Sequence, residues 1–337
     1  MDLSDVLAAP SYDDEDVTIG ETLTKGVARA GTYDGKLLEL RYVNTAFGLW
    51  YSKSLFAENG WEVPTNWADF IALGEEAKAQ GLALFSYPGQ AISYPADVFV
   101  SLIGKRGGAG ALKAMDNLEP GAWEQAPVTD AFRAFEELAA KGLILSGSEA
   151  LSHTEAQTEF VRGEALFYPA GSWLDNEMKG INPDDFEMAI APVPLMDEAT
   201  AAMPAEALQV VPGEPFVIPT DAKNPAGAKE YLRSTLSKEV AAEFSRLTGA
   251  PTVVEGSLDG VDVSPALTTV TEAIEIGAEP ELRVYFRGWY EAIRTQWVTT
   301  LGDLLAGRTT AAEAATVMQK VADEVAGDDG VTKYTRD

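Results

Sequence analysis

The chain has 337 residues and a formal net charge of −28, from 53 acidic and 25 basic side chains. So large a negative charge repels phosphate backbones and anionic membrane surfaces, which argues against nucleic acid as a partner. The chain has no cysteine and a single histidine, which excludes disulfides, thiolate metal sites and multi-histidine metal sites. We therefore expect a globular protein that is long enough for two lobes and uses neither a cofactor nor a bound metal.

The first part of the chain gives weak signals. Met1 to Ala30 combines an acidic run with weak helical periodicity and predicts surface helix and loop. The acidic run lacks the spaced oxygens and the central glycine of a calcium loop, so a solvated face is the better interpretation. Leu37 to Tyr42 is strand-like and leads into a predicted hinge near Asn44. The chain contains no apolar run of about eighteen residues, and its first residues lack the basic and apolar regions of an export signal.

The stretch from Asn44 to Phe70 has the most informative local sequence. It predicts an apolar strand from Phe47 to Tyr51 and a short helix that ends at Gly60. A further helix begins at Trp67, because the Thr-Asn pair before it can cap the first amides of that helix. We interpret Trp61 and Trp67 as packing residues that hold the two helices together.

The loop from Tyr87 to Tyr94 follows a predicted helix (Trp67 to Gln80) and a predicted buried strand (Ala83 to Ser86). It carries two tyrosines, a glutamine and no charge. Loops at strand ends in open α/β sheets often carry ligands, and an ordinary turn is the alternative interpretation. Further along, the glycines between Gly104 and Gly110 lack phosphate-loop spacing and predict a connection between helices. His153 lies in the first turn of a helix with a capping box and is predicted to face solvent.

The run from Phe160 to Trp173 predicts a helix that ends at Gly163, a strand from Leu166 to Tyr168, and a glycine turn that leads to Trp173. Gly171 would permit close approach of the backbone to a ligand. For Trp173, contact with a ligand and packing in the core are the two alternative roles. Gly213 to Pro219 then predicts a strand, and the aromatic run Leu282 to Tyr290 precedes a long helix. The tail after Gly327 is predicted to be loose.

Two of these stretches resemble a known family. GLWYSKSLFAENGWEVPTNWADF and FVRGEALFYPAGSW are similar to signature segments of extracellular solute-binding proteins of carbohydrate ABC transporters. Ser52 stands where that family usually has asparagine, and Asp69 where it usually has glutamate. The chain resembles maltose-binding-protein-like members, and most closely those lipoproteins that capture N-acetylglucosamine or diacetylchitobiose.

The resemblance implies a fold, a function and partners. The expected fold is a type II periplasmic-binding-protein clamshell of two α/β lobes, with residues 1–43 and 213–263 in lobe one and 44–212 and 264–337 in lobe two. The expected function is to bind a neutral sugar, an amino sugar or a short oligosaccharide, and to deliver it to the permease subunits of an ABC importer. The protein is expected to be a monomer, not an enzyme, on the outer face of the membrane or in the periplasm.

The resemblance also implies the residues that contact sugar. In the family, a tryptophan after the glycine turn stacks on the sugar, and loops and the C-terminal aromatic run supply further contacts. The positions that match are Trp173, Trp289, Tyr87, Gln90, Tyr94, Ser172, Asn44, Phe216 and Phe286.

Alternatives remain open at this stage. The motif Tyr33-Asp34-Gly35-Lys36 lies unusually early compared with the family, so lobe one is expected to be incomplete, and a binding-incompetent orphan is one alternative. A carbohydrate-active hydrolase is another, with its carboxylates among Glu164, Asp175 and Glu214.

Overall fold

A computed structural model of the protein describes residues 1–278 and 282–336. Contacts divide the chain into two compact units, each with helices and strands. The first unit is Met1–Ala46 with Val210–Thr271, and the second is Phe47–Gln209 with Glu272–Asp337. The predicted lobe boundaries after residues 43, 212 and 263 compare with unit boundaries after residues 46, 209 and 271. That the first unit is part of a larger lobe stays a prediction.

The strands, in chain order, are β1 Thr32–Tyr33, β2 Lys36–Leu37, β3 Leu40–Ser52, β4 Ala83–Phe85, β5 Ala165–Gly171, β6 Met188–Ala191 and β7 Gln209–Phe216. β1 and β2 form an antiparallel hairpin. The larger sheet has the order β4-β5-β3-β6, and β7 also pairs with β3. β3 is antiparallel to β5 and to β6, whereas β4 is parallel to β5.

The α-helices, in chain order, are α1 Ser4–Leu7, α2 Val27–Ala30, α3 Lys53–Asn59, α4 Trp67–Ala79, α5 Ser93–Asp116, α6 Ala126–Ala140, α7 His153–Val161, α8 Leu174–Glu177, α9 Pro225–Thr235, α10 Lys238–Thr248, α11 Pro265–Gly277, α12 Phe286–Trp289, α13 Glu291–Leu305 and α14 Ala311–Gly327. Short 3₁₀ helices span Ile19–Thr22, Ser148–Ala150 and Glu198–Thr200. In the described residues, no helix is both long enough and apolar enough to cross a bilayer.

Side chains cap the first turns of several helices, and the caps that the sequence predicts for α4 and α7 are confirmed. In each case the capping side chain accepts a hydrogen bond from a backbone amide of the first turn, which satisfies one of the donors that a helix leaves unpaired. The capping residues are Asn66 for α4, Ser152 for α7, Asn224 for α9, Ser237 for α10 and Thr310 for α14.

β3 passes through the predicted hinge near Asn44, and the hinge itself stays a prediction. A single strand of 13 residues replaces the two predicted strands, and it runs through that position without a break. The amide of Asn44 donates to Thr24 Oγ1 at 3.2 Å and lies 3.4 Å from the Thr252 carbonyl oxygen. Because distant residues satisfy its polar side chain, Asn44 is accommodated inside an extended strand.

The first unit has a mainly aliphatic core to which the start of the chain contributes. The prediction of a surface segment before residue 30 is wrong in part, since several of its apolar side chains are buried against the strands. They are Leu3, Val6, Ile19, Leu23 and Val27. The acidic run at residues 13–16 is exposed, as predicted.

The second unit has an aromatic-rich core. Trp67 is buried, and its Nε1 donates to Glu137 Oε2 at 3.0 Å. Trp61 packs edge-on against Phe56 with ring centroids 5.8 Å apart, and its Nε1 donates to Glu76. The predicted packing role of both tryptophans is confirmed.

The connection predicted between Gly104 and Gly110 is a kink inside one helix. The predicted glycine connection lies within α5, where Gly108 leaves the helical conformation (φ 69°, ψ −176°) and divides the helix into two halves.

The prediction of a loose C-terminal tail is wrong for its described end. Arg336 forms an ion pair of 2.8 Å with Asp116, and their side chains are 9% and 0% exposed, respectively.

Candidate functional site

A cavity of about 230 Å³ opens within the second unit. Residues of β3 and β5, the first turns of α5, the segment after β6 and the helix α12 line it. The lining residues are Phe47, Gly48, Ser93, Tyr94, Asp97, Val98, Ala170, Gly171, Trp173, Val193 and Arg287.

One wall of the cavity is aromatic. Trp173, which is half-buried, follows β5 at the N-cap position of α8. Phe47 contacts it edge-on at a centroid distance of 5.5 Å, and Tyr94 does so at 5.9 Å. Edge-to-face contacts of this kind are favourable and hold a ring in one orientation. The indole is therefore fixed by its neighbours while part of its surface faces the cavity.

Gly171 is required by the indole of Trp173. A Cβ atom at this position would lie 2.0 Å from Cζ3 of Trp173, far inside van der Waals contact. The sequence predicted that Gly171 makes room for a ligand, whereas the space is taken by the Trp173 ring. Gly48 has a comparable role on the neighbouring strand, because its Cβ would lie 2.6 Å from the Ala191 carbonyl oxygen.

An ion pair makes another part of the cavity lining polar. Arg287 Nη1 donates to Asp97 Oδ1 at 2.9 Å, and Gln209 Nε2 donates to the same oxygen at 3.1 Å. Within the part of the chain that the structure describes, neither Oδ2 of Asp97 nor the other guanidinium nitrogens of Arg287 have a hydrogen-bond partner. Burial raises the pKa of the Asp97 carboxyl, and the Arg287 guanidinium opposes that rise. The pair carries no net charge and still offers an acceptor and donors.

The structure brings two of the predicted site residues, Trp173 and Tyr94, to this cavity. Ser172 lies between two lining residues and is itself buried. Tyr87 is 1% exposed, and the Gln90 side chain donates to the Ala150 carbonyl at 2.7 Å, so both anchor their loop. Their contact with a ligand stays a prediction.

Four more predicted residues lie elsewhere. Phe286 is fully buried in the core, and Trp289 is stacked against Tyr285 and Tyr334, each with ring centroids 5.3 Å apart. Asn44 and Phe216 belong to the first unit, where Asn44 is buried and Phe216 is exposed. The structure does not bring these four side chains into the cavity, and their contact with a ligand stays a prediction.

Sequence reasoning missed four polar or aromatic residues of the cavity. Ser93 and Asp97 flank Tyr94 on the first turns of α5, and Asp97 follows Tyr94 at the i+3 spacing of one helical face. That spacing was a usable signal. Phe47 was assigned only to a strand, and Arg287 was passed over among the aromatic residues around it.

The carboxylates considered for a hydrolase do not line the cavity. Glu164 and Glu214 are exposed, and Glu214 belongs to the first unit. Asp97 is the single carboxylate among the lining residues, and it is paired with Arg287. In the described residues, no group of three or more His, Cys, Asp or Glu side chains is arranged to hold a metal ion.

The family of bacterial extracellular solute-binding proteins matches this chain over residues 2–269, and the chain belongs to that family. A curated relative, the diacetylchitobiose-binding protein NgcE of Streptomyces coelicolor, is 35% identical over 335 residues. That alignment covers 98% of this chain and 70% of the relative.

Solved structures show the same fold. The bacterial solute receptor AcbH, described as having a preference for β-D-galactopyranose, is similar with a TM-score of 0.78 and 20% identity, over 97% of this chain and 79% of that chain. A chitin oligosaccharide binding protein is similar with a TM-score of 0.76 and 19% identity, over 96% of this chain and 78% of that one. The predicted α/β fold of the solute-binding class is confirmed.

Proposed function

We propose that this protein binds a neutral sugar, an amino sugar or a short oligosaccharide of amino sugars, and delivers it to an ABC importer. The observation that carries the proposal is the cavity that the Trp173 ring and the ion pair of Asp97 and Arg287 line together. The relative named for diacetylchitobiose supports an amino sugar as the ligand class.

The aromatic wall and the ion pair match the apolar and the polar parts of a pyranose. The apolar C–H face of a sugar ring stacks on an indole without any charge. A sugar hydroxyl is both donor and acceptor, so one hydroxyl can donate to Oδ2 of Asp97 and accept from Arg287. Because the ion pair has no net charge, the cavity favours a neutral ligand over an anion or a cation.

The size of the cavity limits how much of the ligand it holds. Pockets that enclose drug-sized ligands usually measure roughly 300–1,000 Å³. The cavity here measures about 230 Å³, which suits a single sugar ring. For an oligosaccharide, we propose that one sugar residue occupies the cavity and the others extend outside it.

We propose binding without turnover, because glycoside hydrolysis generally requires two carboxylates that flank the bond, and the cavity offers one, held by an arginine. The protein would act outside the cell as a monomer and would present its ligand to the permease subunits. Its strongly negative charge supports the absence of nucleic acid among its partners.

Isothermal titration calorimetry tests the proposal with N-acetylglucosamine, diacetylchitobiose and maltose. We expect heat of binding with the amino sugars, little change between low and high salt, and no change on adding EDTA. A chromogenic amino-sugar glycoside, incubated with the same protein, should release no chromophore. No binding to any of the sugars, or a tenfold change of affinity with salt, would contradict the proposal.

A further inference from the structure

The helix α12, which carries Arg287, is held by both halves of α5. Asp97 in the first half accepts from the side chain of Arg287 at 2.9 Å. Asp116, the last residue of the second half, accepts from the backbone amides of Tyr285 at 2.6 Å and Phe286 at 2.8 Å. The N-cap residue and the first two residues of α12 are therefore bonded to two carboxylates of one kinked helix.

Asp116 in turn depends on the C-terminal segment. Its Oδ2 accepts from Arg336 Nη1 at 2.8 Å, and the same nitrogen donates to the Arg283 carbonyl at 2.7 Å. The Asp116 side chain has no exposed surface. Burial raises the pKa of the Asp116 carboxyl, and its hydrogen bonds from Phe286 and Arg336 oppose the rise. Without Arg336, a buried charge would lose its partner, which is strongly unfavourable.

Other contacts of the same segment reach the far end of α12. The Tyr334 ring stacks on Trp289, with centroids 5.3 Å apart at 28°. The Tyr334 amide donates to Tyr290 Oη at 3.0 Å, and the Arg336 amide donates to Asn117 Oδ1 at 2.7 Å. We call residues 334–336 the C-terminal strap. At one end of α12 the strap contacts Trp289, and at the other end it contacts Asp116, which accepts the hydrogen bonds described above.

These contacts matter because α12 has only four residues. A single helical turn does not hold its own conformation in water, so contacts from outside decide the direction of its side chains. We propose that Arg336 is a positioning residue for the cavity: through Asp116 and the first amides of α12, it fixes the guanidinium of Arg287 against Asp97. This inference rests on the proposed function, because it assigns Arg287 to sugar binding.

A double-mutant cycle tests the inference with N-acetylglucosamine as the probe in calorimetric titrations. Arg287→Met removes the donors in the cavity, and Arg336→Met removes the remote support. We expect each single variant to bind about tenfold more weakly, the scale of a lost hydrogen bond to a charged group. Because Arg336 acts through Arg287, the double variant should bind no more weakly than Arg287→Met alone.

Two controls separate positioning from a general loss of stability. Arg308→Met removes an exposed ion pair with Asp303 and should leave affinity unchanged. Arg336→Lys keeps a donor and a charge at the strap, so it should fold even if the methionine variant does not, and it should recover part of the affinity. Each titration is run at a temperature where circular dichroism shows the variant to be folded.

The outcomes are distinct. Losses of affinity that add in the double variant, or unchanged affinity in both Arg336 variants, overturn the inference while the unsubstituted protein still binds sugar. Failure of the unsubstituted protein to bind sugar overturns the proposed function itself and this inference with it.

Discussion

The two units differ in how they use their aromatic residues. In the second unit, Trp67, Trp123 and Trp297 are buried and join one large core, and the cavity opens beside that core. In the first unit, the buried cluster is aliphatic apart from Tyr42, and several rings and large apolar side chains are exposed. The exposed ones are Tyr12, Tyr33, Phe216, Val217, Tyr231, Val240 and Leu247.

This difference indicates that the two units do not contribute equally to stability and to binding. A unit with a closed aromatic core can hold cavity side chains within a narrow range of positions. A unit with a small core and exposed apolar surface loses fewer buried contacts when it opens, so its opening costs less free energy. We therefore expect the second unit to determine affinity and the first unit to limit stability.

Hydrogen exchange compares the two units directly. Strand amides of the first unit, at residues 40–43 of β3, should exchange at least tenfold faster than amides of β5, because their opening costs less free energy by about 1.4 kcal/mol or more. Mass spectrometry of peptides from both units measures this. Equal protection of the two sets would remove the basis of the comparison.

A pair of tryptophan variants tests the same comparison inside the second unit. Trp173→Ala should weaken sugar binding by about thirtyfold, or about 2 kcal/mol, because it removes the aromatic platform at the centre of the site. Trp67→Ala should instead lower the free energy of unfolding by about 3 kcal/mol, because Trp67 is 5% exposed within the core. Titrations and thermal melts of both variants measure the two quantities.

Trp173→Phe and Trp61→Ala serve as controls for this pair. The smaller ring should recover part of the affinity, since it still stacks, and Trp61→Ala should affect stability without affecting affinity. If Trp173→Ala unfolds the protein while Trp67→Ala weakens binding, the assignments of core and site are interchanged.

A glycine variant gives a smaller effect on binding. Gly171→Ala places a methyl group 2.0 Å from the Trp173 ring, so the indole must move and affinity should fall by about tenfold. Gly110→Ala is the matched control, because its Cβ would meet no atom within 4 Å. It should leave affinity unchanged and raise stability by about 0.5 kcal/mol or more, because alanine favours a helix. Equal affinities of the two variants would show that the indole tolerates displacement.

We expect Lys105 to make the stability of the protein, and not its sugar affinity, depend on pH. It is fully buried and donates to the carbonyl oxygens of Val193 and Ala205. Burial lowers its pKa from 10.5 to about 7, and Glu206 opposes the shift. Between these two values the unfolded chain binds more protons than the folded one, so this residue makes stability rise as pH increases from about 7 towards 10.

Chemical denaturation at about pH 6 and about pH 9 measures this dependence. Relative to Lys105→Met, the unsubstituted protein should gain stability at the higher pH. A parallel change in both proteins would assign the pH dependence to other groups.

Local features of this chain were predictable, and contacts between distant residues were not. The caps at Asn66 and Ser152 depend on residues three positions apart, so the sequence contains both partners of each hydrogen bond. Trp173 was found because it follows a glycine turn in a segment that resembles a signature of the family. Asp97 and Arg287, by contrast, lie 190 positions apart, and no local pattern connects them.

Two further contacts were not predictable for the same reason. The amide of Asn44 lies near the carbonyl oxygen of Thr252, 208 positions away. The tail after Gly327 was predicted to be loose, but Arg336 forms an ion pair with a buried carboxylate 220 positions earlier. The contacts of these polar side chains depend on partners that are far away in the sequence.

The uninterrupted strand β3 has a consequence for how this protein can change during evolution. Its first residues belong to one unit and its last residues to the other, and its side chains alternate between two faces. A one-residue insertion or deletion near Ala46 would reverse the face of Phe47 and of every later residue of the strand. Changes in the length of β3 would therefore displace the aromatic wall of the cavity in a single step.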